Sequence, residues 1–386
     1  MLGNINETVY LIYKEVQKSR KTDYCLHGTG GGQLLFQYIV KKLGLYDVNA
    51  VFEERMIEFL ENFDKVNKVS FSSGVCGNIW LINYLSQQNV IDDLLVDIKN
   101  EIREIMETAF TFNKYGNYDF LHGSLGVLKV GYSCKKIVEA DFVEDIANSI
   151  LEGVQVSEKG YYYKNWKGIF KNIDTSKSVD FSLSHGLASV VIIFSKSRHK
   201  ERKKIVSKVL QYIQSHKSKG NTLSLYPNFV GKDEPIIYDS RLAWCYGDLG
   251  IAYAFWQAGK AFDHKEWKEE GINIMLHASR RRNLKENKVV DAGFCHGTSG
   301  IAHLYNRIYK ETKIKKFDET RNYWLEQTFL KLEKNKVDNF KSWQGDRGWV
   351  NNMGLLEGVS GIGLVLLGFL TDEVNDLNWD ECLLLS

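Results

Sequence analysis

One short pattern recurs seven times along this 386-residue chain, and it constrains the fold more than any other feature. The pattern is Gly-x-x-Gly followed by an apolar stretch. It begins at Gly28, Gly74, Gly123, Gly186, Gly247, Gly297 and Gly358, with Ser189 replacing the second glycine of the fourth copy. First glycines lie 46 to 63 residues apart, the scale of one supersecondary unit. Each copy opens a segment with helical apolar spacing, such as Ile79-Trp80-Leu81-Ile82 or Ile251-Ala252-Tyr253-Ala254. Two glycines one turn apart share a helix face, so neighbouring backbone can approach there. Glycine inside a helix costs up to about 1 kcal/mol relative to alanine, so seven pairs need a packing reason.

Longer, more charged segments alternate with these copies. The stretch Ile91, Leu94, Leu95, Ile98, Ile102, Ile105, Met106, Ala109 follows a period of 3.6 with polar residues on its other face. Similar segments lie near 5–19, 50–63, 139–155, 201–215, 263–278 and 317–333. A helix apolar on most sides belongs inside and an amphipathic one outside. Seven such units can close into a ring. The expectation is an all-α chain, an α/α toroid of seven inner and seven outer helices, forming a single domain over residues 1–386. Only two prolines, Pro227 and Pro235, interrupt the helical pattern.

With 44% apolar and 25% charged residues the composition is that of a soluble globular protein. A net charge of +2 gives no reason to expect nucleic acid as a partner. The longest apolar run, Ile362 to Leu370, is half of what a membrane span needs, and Met1 to Tyr13 lacks the blocks of a signal peptide. A cytoplasmic protein without stable membrane insertion is expected. In that compartment the six cysteines read as thiols or ligands rather than disulfides.

Three copies carry reactive residues just before their glycines: Asp180 to His185, Arg241-Leu242-Ala243-Trp244-Cys245-Tyr246, and Phe294-Cys295-His296. In a ring, all pre-glycine loops fall at one end, where distant residues converge. Two thiolates and an imidazole suit zinc with an open fourth position, which nominates Cys245, Cys295 and His296. Adjacent Cys-His is not a zinc-finger spacing, so two structural cysteines and a capping histidine stay open as the alternative. The loop His27-Gly28-Thr29-Gly30-Gly31-Gly32 lacks the Lys-Ser/Thr and the preceding strand of a phosphate loop, which excludes nucleotide binding.

Trp244-Cys245-Tyr246-Gly247 followed some fifty residues later by Cys295-His296-Gly297 resembles the lanthionine synthetase C-like proteins. The resemblance spans almost the whole chain and includes the glycine repeats and the toroid. It implies zinc on Cys245, Cys295 and His296. It also implies a catalytic His185, a catalytic aspartate at Asp119 and an active-site arginine at Arg241. The implied reaction adds a peptide cysteine thiol to dehydroalanine or dehydrobutyrine, forming lanthionine or methyllanthionine rings. Trp244 and Tyr246 are expected against the substrate, a dehydrated precursor peptide, and a lanthipeptide dehydratase is a candidate partner. Alternatives are addition of glutathione to dehydroamino acids in proteins, and a non-catalytic peptide scaffold. Two residues depart from the family pattern, Ser189 and His122, and the chain leaves little room for a small inserted domain found in the family. The basic stretches Lys196 to Lys219 and Arg280-Arg281-Arg282 read as solvated faces, with leader-peptide docking as the alternative.

Overall fold

In the computed structural model, residues 2–19, 23–47, 49–165, 178–231, 234–335 and 341–386 are described. Fourteen of its helices alternate between two kinds. The amphipathic helices are α1 (Leu2–Lys18), α3 (Asn49–Leu60), α5 (Lys99–Lys114), α7 (Ala140–Glu152), α9 (Arg202–Ser215), α11 (Lys265–Ala278) and α13 (Lys315–Asn335). The glycine-led helices are α2 (Thr29–Lys42), α4 (Val75–Gln87), α6 (Ser124–Ser133), α8 (Leu187–Lys196), α10 (Asp248–Ala261), α12 (Thr298–Thr312) and α14 (Val359–Leu370). A short α15 (Glu373–Asp376) follows. One expected boundary moves. The pattern begun at Ile91 forms only a 3-10 turn, Leu94–Val96, before α5 starts at Lys99.

The glycine-led helices are enclosed on nearly every side. Val75 to Leu85 of α4 and Leu187 to Ser195 of α8 are buried without a break. The amphipathic helices bury one stripe; α5 encloses Ile102, Met106, Ala109 and Asn113. Full burial of a large aliphatic chain stabilises by roughly 1.5–3 kcal/mol, so the first set carries most of the core.

The glycines admit closely approaching backbone, as expected, and the structure identifies that backbone. The first glycine of each copy caps its helix, and the chain before it curls back over that cap. Backbone N–H groups of Val75, Ser124, Thr298 and Val359 donate to the carbonyls of Lys68, Asn117, Asp291 and Asn352. This satisfies helix-end donors that no capping side chain reaches. A Cβ on Gly74 or Gly123 would lie 2.5 Å from the Lys68 or Asn117 carbonyl oxygen. The approaching backbone is thus mainly the helix's own entry loop. Gly247 also needs a φ of 89°, which favours glycine. Ser189 is tolerated because its hydroxyl donates to the Gly186 carbonyl at 2.7 Å.

The same loops hold a second device that reading forward from the glycines overlooks. Side-chain oxygens of Asp23, Asp180, Asp291 and Asn352 accept the N–H two residues on, at 2.6–3.0 Å. These turns fix each loop before its helix begins. Arg241 stands at the equivalent place in the fifth copy, six residues before its glycine.

By contacts the chain forms two compact units, residues 68–281 and residues 1–67 with 282–386. Within the first, α4, α6, α8 and α10 pack in succession, with α5 and α7 on α6, α9 on α8 and α11 on α10. Within the second, α14 packs on α12 and α2, with α13 on α12, α3 on α2 and α1 on α14. Three small antiparallel pairs were not legible in the sequence. They are β1 (Gln155–Ser157) with β2 (Gly160–Tyr162), β3 (Ser178–Asp180) with β4 (Phe229–Gly231), and β5 (Lys341–Trp343) with β6 (Trp349–Asn351). No described helix is long and apolar enough to cross a membrane.

Candidate active site

Asp119 lies in the entry loop of α6 and His185 in that of α8, 66 residues apart in sequence. Their side chains meet: His185 Nδ1 is 2.6 Å from Asp119 Oδ2. Asp119 is held from its other oxygen, where Oδ1 accepts the His122 N–H at 2.7 Å. The His185 loop is itself tied down, since the N–H groups of Leu183 and Ser184 donate to the Cys245 carbonyl at 3.1 and 3.3 Å. The Ser184 hydroxyl adds a third bond to that oxygen at 3.2 Å. The imidazole therefore sits on a loop stitched to the backbone of one candidate metal ligand.

Charge dominates this corner. Burial works against a charged His185, but the Asp119 carboxylate outweighs it. Asp180 and Cys245 reinforce the effect, and the pKa rises to about 9. Burial likewise disfavours the Asp119 carboxylate, yet contact with His185 brings its pKa below the usual range. Burial raises Asp180 to about 6 despite the opposing pull of His185. Asp180 is thus a charged neighbour of His185, a placement that its own segment, Asp180 to His185, does not by itself reveal. Its place before His185-Gly186, matching Asp291 and Asn352 before their glycines, was the available signal.

The His122 ring stacks on His185 with centroids 5.7 Å apart. Burial lowers its pKa, so it faces His185 uncharged at neutral pH. This neutral partner is how the departure at His122 is accommodated. Tyr246 is half-buried; its ring lies 5.8 Å from His185 and its hydroxyl donates to Asp180 Oδ2 at 3.4 Å. Trp244, expected against the substrate, is fully buried, so its ring belongs to the core. Arg241 is half-buried, with its carbonyl against Gly247.

All six cysteines are free thiols. Among the described residues, one group of metal-ligating side chains has ligand atoms all within 4.8 Å of one another: Cys245, Cys295 and His296. Two soft sulfurs and an imidazole fit zinc and leave a coordination position open. The Cys295 loop is fixed by its N–H, which donates to the Leu356 carbonyl at 2.7 Å.

The family model of the lanthionine synthetase C-like proteins matches residues 27–384. The chain belongs to that family. The nisin biosynthesis protein NisC of Lactococcus lactis subsp. lactis is 24% identical over 344 residues, covering 82% of this chain and 77% of that protein. A glutathione S-transferase, LANCL1 of Danio rerio, is 30% identical over 86 residues, only 22% of this chain and 20% of its own. The solved structure of nisin cyclase superposes with a TM-score of 0.75 at 20% identity, over 99% of this chain and 96% of that one. That likeness establishes the α/α toroid which the alternating helices lead one to expect. In this lanthionine synthetase C-like chain most basic residues of the 196–219 stretch are exposed, while a few cations of the two stretches are engaged. Arg281 donates to Asp248 at 3.3 Å, Arg282 lies over the Tyr323 ring, and Lys217 pairs with Glu270 at 2.7 Å. The alternative of a leader-docking face at Arg281 is thereby overturned, since that side chain is buried.

Proposed function

We propose that this chain is a zinc-dependent lanthipeptide cyclase, joining cysteine thiols of a dehydrated precursor peptide to its dehydroalanine or dehydrobutyrine residues. The observation carrying this reading is the His185–Asp119 pair on a loop hydrogen-bonded to Cys245. Membership of a family that includes a nisin biosynthesis protein supports it.

Cys245, Cys295 and His296 would hold the metal. Bound there, zinc supplies a substrate thiolate near neutral pH, where a free cysteine of pKa about 8.5 is mostly protonated. The thiolate sulfur bonds to the β-carbon of the acceptor as its carbon–carbon double bond opens into an enolate. That enolate needs one proton at its α-carbon. His185 is the donor: with a pKa raised to about 9 it is protonated at working pH. Asp119 holds Nδ1 and leaves Nε2 to face the substrate. The proton lost by the thiol restores the imidazolium, so the addition is balanced without a further reagent. Arg241 is assigned to the developing enolate charge or to a peptide carbonyl, and Tyr246 to the substrate wall. The acceptor residues arise by loss of water from serine or threonine, so a dehydratase must act first.

The test is a dehydrated peptide with one cysteine, incubated with the protein and then treated with a thiol-alkylating reagent. Unchanged mass with lost alkylation is expected, with or without glutathione. A thiol that stays free, and a mass that rises only when glutathione is added, would replace this reading by the glutathione alternative.

A further inference from the structure

A cavity of about 720 Å³ opens where α5 ends and the entry loop of α6 begins. Phe112, Tyr115, Tyr118, His122 and Lys164 are among its walls. A much smaller cavity of about 20 Å³ lies against Asp119 and His185. Gly116, Tyr118, Lys164 and Asn165 line both, so the large cavity adjoins the one at the imidazole–carboxylate pair. Its size falls in the range of sites that enclose a ligand, which the small one does not reach.

The walls have distinct characters. Tyr118 is fixed, with its ring 4.8 Å from Tyr163 and its hydroxyl donating to the Asn113 carbonyl at 3.3 Å. Tyr115 is 69% exposed at the cavity's rim, where its ring can be covered by a ligand. Gly116 has a φ of 71°, and a Cβ there would meet nothing within 4 Å, so the rim is open. Lys164 forms no ion pair among the described residues and presents three donors. Aromatic walls with a single cation suit a peptide, which offers apolar side chains and a row of carbonyl acceptors.

We propose that this cavity seats the stretch of substrate peptide adjoining the dehydro residue, with side chains against Phe112 and Tyr115 and a backbone carbonyl toward Lys164. The inference rests on the cyclase reading and adds where the acceptor side of the peptide lies. His122 marks the junction, lining the large cavity while stacking on His185.

Two exposed positions test it in the full chain, Tyr115→Ala and Thr111→Trp, the latter narrowing the cavity from α5. KM for the dehydrated one-cysteine peptide should rise about fivefold in the first and about tenfold in the second, with kcat and metal content unchanged. A single dehydroalanine amide with a separate small thiol is too short to reach the cavity, and its rate should stay at the wild-type value. Wild-type KM in both variants overturns the assignment and leaves the cyclase reading standing. A matching fall on the short probe also overturns it, because the residues would then serve the chemistry. A wild-type protein that leaves the peptide's thiol free removes both readings together. Should Thr111→Trp fold poorly, Tyr115→Ala decides, since its exposed ring supports little of the core.

Discussion

Two buried histidine–aspartate pairs in this molecule have the same bond length and opposite behaviour. His185 Nδ1 meets Asp119 Oδ2 at 2.6 Å, and His303 Nε2 meets Asp380 Oδ2 at 2.6 Å. Yet His185 is raised to about 9, whereas His303 is lowered, burial there outweighing Asp380. The neighbours account for the difference. Asp119 and Asp180 both act on His185, whose side chain keeps 14% exposure. His303 has none, and Arg307, 3.2 Å from the same oxygen of Asp380, takes up that carboxylate's charge. A surplus of carboxylate beside a reachable ring suits proton transfer; a neutralised, sealed pair pins the C-terminal segment to α12.

The largest effect separating the pairs is expected from His185→Asn, which should cut cyclisation by about 10²–10⁴-fold while metal content and helicity persist. Metal loss in proportion to activity would move His185 into the metal shell and break the comparison. His303→Leu should do the reverse. Chemical denaturation should report a loss of about 1–3 kcal/mol, while turnover per folded molecule is kept. Unchanged stability with lost turnover would make the two pairs equivalent.

The pH responses sharpen the contrast. His185 has its folded pKa above the unfolded value of about 6.5, so its stabilising contribution is whole below that pH and fades as pH rises through about 9. Asp380 is depressed to about 2 as the pull of Arg307 and His303 overcomes burial. Its contribution is present above about 4 and lost as pH falls through 2. Asp119→Asn should therefore shift the alkaline limb of kcat toward lower pH, read from a rate profile, and should leave acid unfolding at Asp380 in place. The smallest effect is Ser189→Gly, which restores the glycine pair. A stability change within about 0.5 kcal/mol and normal cyclisation are expected, because the hydroxyl only bonds the turn behind it.

The repeats were legible because glycine sites are set by sterics that no other residue meets. The helices alternating with them, such as α9 and α11, follow directly from apolar periodicity. Three-residue strands such as β3 and β4 leave no such trace, being too short for alternation to register. The partnership of His303 with Asp380 across 77 residues was equally silent, since neither residue sits in a repeat loop. Trp244 shows the limit of motif reading: it stands beside the nominated Cys245, but its own ring is fully buried. Asp180 shows the opposite, for the turn it closes is visible six residues before a glycine once the other copies are aligned.

The packing of α1 on α14 has a consequence for how the protein is made. Residues 68–281 form one continuous unit and can assemble while the ribosome is still working. Residues 1–67 belong with 282–386, so α1 and α2 emerge well before α14, on which both pack. At ordinary synthesis speeds that delay is on the order of tens of seconds. The Asp119–His185 pair lies wholly in the earlier unit and can form before Cys295 and His296 have left the tunnel. Until α14 arrives, the buried stripe of α1 (Ile5, Val9, Ile12 and Val16) is apolar surface for a chaperone to shield.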